Sequence, residues 1–185
     1  MKCVETIRNN YEEAASEKVL FYALSLLINT VISIISVLLV SYLTNHFIEA
    51  IIAIICFLVL RNISGGFHLN SSLSCCIFTI IILIFSIHIN ISFYYVGIIL
   101  NIISLIIVIH NAPRGLENVS RLNPKYYIIL KLITITFLSI NFFFESSLLS
   151  VIFFVQSLTL TNTGYLLVAS LERRWDNEKK HCKDR

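Results

Sequence analysis

The sequence predicts an all-α, polytopic membrane protein, and three observations lead to this fold class. The 185 residues are 57% hydrophobic and only 14% charged, with a mean hydropathy of +0.83, whereas a soluble domain is about 45–50% apolar. Apolar runs recur along the whole chain, and about 20 such residues span a bilayer as a helix. Only two prolines and five glycines interrupt them. We therefore expect about six transmembrane helices joined by short loops.

The predicted elements begin with an amphipathic surface helix at residues 1–19, in which Val4, Ile7 and Tyr11 share one face. Six apolar segments follow, at 20–43, 47–60, 73–89, 91–109, 126–144 and 148–171. The second is the weakest, because it rises only about 21 Å against a hydrocarbon core of about 30 Å. It borrows flanking residues, thins the bilayer or is re-entrant. We expect one integral membrane domain over 1–185, with the bundle at 20–171 and a solvated cytoplasmic tail at 172–185.

Basic residues are confined to one side of this predicted bundle. Of the 14 Lys and Arg residues, all but Lys131 lie in the N-terminal stretch, the 61–72 and 111–125 loops, and the C-terminal tail. The loops on the opposite side carry none. The positive-inside rule then predicts a multi-pass cell-membrane protein whose two termini and 61–72 loop face the cytoplasm.

Several function classes find no support in the sequence. The net charge of +3 comes without aromatic residues interleaved along a basic stripe, so nothing indicates nucleic-acid binding. The protease motifs H-E-x-x-H and G-x-S-x-G are absent. Five irregularly spaced cysteines suit neither a disulfide framework nor a zinc site, and we expect reduced thiols, no metal and no cofactor. They are Cys3, Cys56, Cys75, Cys76 and Cys182.

The candidate site is a polar stretch from Arg61 to Cys76, lodged between the second and third apolar segments. Irregular backbone at membrane depth persists only where protein buries it or water reaches it. On one continuous helix, His68 and Cys75 would lie about 10.5 Å apart along the axis, too far for a catalytic hydrogen bond. Gly65-Gly66 permits a break in the helix. We therefore expect the chain to fold back at this point.

A new helix after the break gives Cys75 a distinctive environment. If Ser71 or Ser72 caps the third apolar helix, Cys75 falls in its first turn. There the unpaired N–H groups favour a thiolate and could hold an oxyanion. His68 could then act as general base and later as proton donor, as in a cysteine protease. A solvated histidine and a cysteine that only packs are the alternative reading.

Arg61, Gly66, His68 and Cys75 follow the order R-x4-G-x-H-x6-C behind a short apolar segment. In this the chain resembles the AgrB family, the membrane endopeptidases of Gram-positive quorum-sensing systems. The resemblance covers most of the chain, through its size, its six apolar segments and three later features. These are the Ala112-Pro113 loop, Pro124 and the Gln156-Ser-Leu-Thr-Leu stretch. One departure is Arg114-Gly115, where many relatives carry a small residue and an acid.

This resemblance implies processing of an AgrD-like pheromone precursor. Cys75 would be the nucleophile and His68 its base, and the precursor's C-terminal part would leave as a thioester forms on Cys75. An internal Cys or Ser of the precursor would then close a thiolactone or lactone ring. Arg61 would meet the acidic region of the precursor, with Gly65, Gly66 and Ser71 as site support. Relatives also imply a homodimer in the lipid membrane.

Other assignments stay open at this level. Arg61 could instead mark the membrane boundary, and Lys131 could either snorkel to the cytoplasmic surface or contact substrate. Cys76 is the alternative nucleophile, but on a helix it points about 100° away from Cys75. Ser64, Asn70 or Ser71 could orient His68. The competing functions are a small transporter or peptide exporter without protease activity, and a receptor-like partner without chemistry.

Overall fold

The computed structural model of the chain describes residues 17–66, 72–114, 124–166 and 170. Over these residues the chain is all-α, which confirms the predicted fold class. A π-helical turn, Phe93–Gly97, leads into α4, and a 3-10 turn, Pro124–Tyr126, leads into α5. Within the described residues, the principal helices are α1 (Glu17–Leu43), α2 (Phe47–Ser64), α3 (Ser72–His88), α4 (Ile98–Asn111), α5 (Tyr127–Phe144) and α6 (Ser147–Leu158). Residues 1–16 of the predicted surface helix and the predicted tail at 172–185 lie outside the described residues.

Four of the described helical stretches are long and apolar enough to cross a membrane, and they make the chain a membrane protein by length and composition. They are Ala23–Leu43, Phe47–Ser64, Phe93–Asn111 and Tyr127–Phe144. Two shorter apolar helices, Leu73–His88 and Ser147–Leu158, complete the set. Large apolar side chains point outward on all of them, as expected of helices that face lipid.

The structure changes two expectations about length. The second segment is not the weakest, because α2 continues through Arg61 to Ser64 and rises about 27 Å over its 18 residues. The shortest is the sixth: its predicted run to residue 171 is wrong as a single helix, since α6 ends at Leu158 after 12 residues. The hydroxyls of Thr159 and Thr161 donate to the carbonyls of Gln156 and Leu158, and the chain turns there.

Helix α2 lies at the centre of the bundle and packs against α1, α3, α5 and α6. Ala50 and Ala53 are fully buried on it, and small residues of this kind let helix backbones approach closely in a membrane. Helix α1 packs mainly on α3, and α4 packs on both α5 and α6. The bundle thus surrounds α2, whose last turn carries Arg61.

The two ends of the bundle differ in character. At one end His88 Nε2 lies 3.0 Å from the Thr44 hydroxyl, and Tyr94 donates to the Glu145 carboxylate. Nearby, the buried Asn141 amide donates to the carbonyl of Ser146 at 3.2 Å and closes the α5–α6 turn. At the other end, the turns that follow α2, α4 and α6 converge. This second end holds the candidate site.

Candidate functional site

Arg61 and Cys75 meet at the junction between α2 and α3. Arg61 lies in the last turn of α2, and its guanidinium is 5.9 Å from the centre of the Phe57 ring one turn earlier. Its Nη2 approaches Cys75 Sγ to 3.7 Å, and both side chains are half-buried. Cys75 is the fourth residue of α3 as described. The pair therefore places a permanent cation beside a thiol in the first turns of α3 as described.

The neighbouring cysteine faces a different helix. The Ser33 hydroxyl on α1 lies 3.0 Å from Cys76 Sγ and 2.9 Å from the carbonyl oxygen of Asn29. Cys75, Cys76 and Cys56 are all free thiols. Because successive residues on a helix diverge by about 100°, α3 presents Cys75 to Arg61 and Cys76 to α1. The two adjacent thiols therefore have different surroundings.

The predicted break at the glycines is confirmed. Helix α2 ends at Ser64, and Gly65 and Gly66 have φ angles of 79° and 130°, a region that side chains disfavour. Gly66 also has no room for a side chain, because a Cβ there would lie 2.5 Å from the Thr159 hydroxyl. Both glycines are buried. The chain leaves α2 here and enters α3 at Ser72, with His68 between these two points.

A short backbone join holds the glycine turn to the segment after α4. The N–H of Gly66 donates to the carbonyl of Arg114 at 2.9 Å, and the N–H of Arg114 donates to the carbonyl of Ser64 at 3.2 Å. These two bonds form a parallel bridge between Gly65 and Arg114. The peptide before Pro113 is cis. Two loops that are distant in sequence are thereby fixed to each other.

The Arg114 side chain extends this join to the end of α6. Its Nη1 donates to the carbonyl of Leu160 at 3.2 Å, and its guanidinium lies 4.6 Å from the centre of the Tyr165 ring. Burial raises the pKa of Tyr165, which lies beyond the last apolar helix, and the charges of Arg114 and Arg61 partly oppose this rise. The phenol is therefore protonated at neutral pH. Arg114 serves here as a tie between segments.

Gln156 on α6 completes the enclosure of the glycine turn. Its side chain is only 2% exposed, and its Nε2 donates to the carbonyl of Gly65 at 2.9 Å. The same nitrogen lies 3.4 Å from the Ser64 hydroxyl. A buried amide bound to loop backbone fixes that backbone in place, because breaking the bond would leave polar groups unsatisfied. The turn is thus held by α6 on one side and by Arg114 on the other.

The structure brings together some of the predicted site residues. Arg61, Gly65, Gly66 and Cys75 cluster at one end of the bundle, whereas His68, Asn70 and Ser71 lie outside the described residues. Lys131, five residues into α5, is half-buried and makes no hydrogen bond or ion pair to the described parts of the chain. Nothing in the structure joins Lys131 to the Arg61–Cys75 pair.

Sequence reasoning gave no structural role to three residues of this region, namely Arg114, Gln156 and Tyr165. Each comes from a segment distant from the motif, so spacing along the chain could not reveal the contact. One signal was present for Gln156: a lone amide inside an apolar segment needs a polar partner in the protein. In the parts of the chain that are described, no three His, Cys, Asp or Glu side chains group closely enough to hold a metal ion.

Fold and site define a polytopic helical membrane protein that holds a thiol beside a guanidinium at its basic end. The family model described as Accessory gene regulator B matches residues 1–171, and the chain belongs to this AgrB family. Family membership supports a role in the accessory gene regulator system.

Two curated relatives come from Clostridium perfringens. The protein named "Putative AgrB-like protein 2" from strain 13 / Type A is 32% identical, and the match covers 88% of this chain and 89% of that protein. The protein named "Putative AgrB-like protein" from strain SM101 / Type A is 31% identical, with 88% and 76% covered. No solved structure shows a significant match to the chain.

Proposed function

We propose that the chain is a membrane-embedded cysteine endopeptidase that cleaves an AgrD-like pheromone precursor, with Cys75 as nucleophile and His68 as general base. The observation that carries this proposal is the 3.7 Å approach of the Arg61 guanidinium to Cys75 Sγ. A cation at this distance lowers the free energy of the thiolate, which is the reactive form of cysteine. Membership of the AgrB family supports the substrate class.

In the first step the Cys75 thiolate attacks the scissile carbonyl of the precursor. The C–N bond breaks, a thioester forms on Cys75, and the leaving amine takes a proton from His68. Backbone N–H groups at the start of α3 can hold the oxyanion of the tetrahedral intermediate. The precursor's C-terminal part departs as a free peptide, and its N-terminal part remains on the enzyme as an activated acyl group.

In the second step an internal Cys or Ser of the precursor attacks this thioester. Its proton passes to His68, the new thiolactone or lactone ring closes, and Cys75 leaves as a thiolate. Exchange between a thioester and a thiol costs little free energy, so the ring forms if water is kept away. A site enclosed by apolar helices limits hydrolysis of the thioester.

The topology and partners are part of the same proposal. Arg61 and Arg114 lie at the end of the bundle that holds the site, and the positive-inside rule places such an end at the cytoplasm. Both termini and the active-site loop are then cytoplasmic, where an unexported precursor is available. The protein works as a homodimer surrounded by lipid.

Co-expression with an AgrD-like precursor tests the proposal directly. Mass spectrometry follows the cleaved precursor and the cyclic product in membranes that carry wild-type protein, Cys75→Ala, His68→Ala or Cys76→Ala. We expect the first two variants to lose cleavage by at least about 1,000-fold, since each removes a member of the nucleophile–base pair. Cys76→Ala, whose sulfur contacts Ser33 on α1, is the matched control and keeps wild-type cleavage. Cleavage at the wild-type rate by Cys75→Ala would contradict the assignment.

A further inference from the structure

Gln156 is a buried polar residue whose hydrogen bonds go to the turn in front of His68. Its Nε2 donates to the carbonyl of Gly65 at 2.9 Å and lies 3.4 Å from the Ser64 hydroxyl, 91 and 92 residues earlier in the chain. His68 follows Gly66 by two residues, so the backbone that Gln156 holds leads directly into the segment that carries the proposed base. The donor side of this amide is therefore fully engaged.

The acceptor side of the same amide is not engaged. Gln156 Oε1 is buried and has no hydrogen-bond partner among the described residues. Leaving a buried polar atom unsatisfied costs about 1–3 kcal/mol, and a thioether or hydrocarbon of similar size would avoid that cost. Unsatisfied groups of this kind are uncommon in native proteins and call for an explanation. The explanation available here is the need for the donor at Gly65.

The glycine turn is constrained from two further directions. Thr159, one turn after Gln156, fills the space next to Gly66, where a Cβ would lie 3.3 Å from the Thr159 Cβ. On the opposite side, the N–H of Gly66 donates to the carbonyl of Arg114 at 2.9 Å. Gln156, Thr159 and Arg114 thus hold the turn together. Without Gln156, the carbonyl of Gly65 loses its side-chain donor.

From this geometry we infer that Gln156 is a positioning residue for the proposed reaction: it anchors the Gly65-Gly66 turn, which precedes His68 by two residues in the sequence. The inference rests on the proposed function, in which His68 activates Cys75. Gln156 itself touches neither the substrate nor the thiol. A misplacement of about 1 Å in a catalytic group can cost about 100-fold in rate, so a firm anchor matters.

The test uses full-length protein in lipid nanodiscs with an AgrD-like precursor. Gln156→Met keeps the length of the side chain but removes the donor, and Gln156→Glu places an acceptor beside the carbonyl of Gly65. We expect kcat to fall about 10- to 100-fold in both variants, with KM within about twofold of wild type. Ser157→Ala is the matched control, because Ser157 is equally buried on α6 and its hydroxyl bonds only back to the Phe154 carbonyl at 2.8 Å among the described residues. It keeps the wild-type kcat.

A second measurement separates positioning from loss of folded protein. The rate of Cys75 alkylation by iodoacetamide at pH 7 is compared in wild type, Gln156→Met, His68→Ala and the double variant. If Gln156 acts through His68, Gln156→Met slows alkylation in the wild-type background and has no further effect in the His68→Ala background. Equal slowing in both backgrounds, or a wild-type kcat in both Gln156 variants, overturns the inference. Full cleavage by His68→Ala and Cys75→Ala would instead overturn the proposed function, so the two failures are distinct.

Discussion

At the scale of single residues, two adjacent cysteines on α3 have different surroundings. Cys75 Sγ lies 3.7 Å from the Arg61 guanidinium, whereas Cys76 Sγ accepts a hydrogen bond from the neutral Ser33 hydroxyl. A cation this close can stabilise negative charge that develops on a reacting sulfur. Of the contacts that the two sulfurs make with described residues, only that of Cys75 is with a charged group.

Replacing the cation tests this reading without any substrate. We expect Arg61→Gln to slow alkylation of Cys75 at pH 7 by about fivefold or more, because the positive charge 3.7 Å from the attacking sulfur is removed. Mass spectrometry of the Cys75 peptide after timed exposure to iodoacetamide gives the rate. Lys125→Gln, which removes an exposed cation before α5, is the control and leaves the rate unchanged. Equal rates in wild type and Arg61→Gln would show that the guanidinium does not act on the sulfur.

At the scale of elements, hydropathy located most of the helices well. The predicted segments 20–43, 73–89, 91–109 and 126–144 each agree within three residues with the helical stretches that the structure describes, because an apolar run in lipid satisfies its backbone only as a helix. The bounds of α2 and α6 were missed, because α2 continues past the apolar run through Arg61 to Ser64 and α6 ends at Leu158, inside the predicted run.

Some residues of the site could be identified from the sequence, and others could not. The spacing of Arg61, Gly66 and Cys75 lies within one short stretch, so a motif could identify it. Arg114 and Gln156 reach the same turn from the ends of other helices, and hydropathy does not encode which ends converge. Only the packing of α6 against both α2 and α4 brings them together.

Arg114 connects three segments of the chain, so we predict that replacing it destabilises the protein. Both Arg114→Ala and Arg114→Lys are expected to lower the free energy of unfolding by about 1–2 kcal/mol. Both variants lose the contact of the guanidinium with the Tyr165 ring and its hydrogen bond to the Leu160 carbonyl. The compact ammonium of lysine cannot make both interactions at once. Equilibrium unfolding of the purified protein in detergent micelles gives the value.

The Lys variant is the informative one in that experiment. If Arg114 contributed only positive charge, Lys would preserve stability while Ala would not. A Lys variant with wild-type stability beside a destabilised Ala variant would therefore contradict the tie.

At the scale of the whole molecule, the contacts divide the turns into two groups. At one end of the bundle, Thr44 contacts His88 and Tyr94 contacts Glu145. The turns at this end contain no Lys or Arg. Gly65 and Arg114 meet at the other end, beside Arg61. The charge segregation predicted from sequence is thus matched by the way that the described helices pack.

This arrangement predicts the orientation of the protein in the cell membrane. Alkaline phosphatase, which is active only outside the cytoplasm, is fused after Asn45, Asn90 or Arg114 in successive truncations. We expect activity from the first two fusions and none from the third, because basic loops stay at the cytoplasmic face. Green fluorescent protein at the same positions gives the reciprocal pattern and serves as the control. An active phosphatase after Arg114 would invert the proposed topology.

The backbone join between Ser64, Gly66 and Arg114 does not depend on the identity of the side chain at position 114. Both of its hydrogen bonds use the N–H or carbonyl of residue 114, which every amino acid except proline supplies in full. The register of this join therefore survives a change of side chain at position 114. The Arg114 side chain adds stability through Leu160 and Tyr165, but the alignment of the two segments rests on the backbone alone.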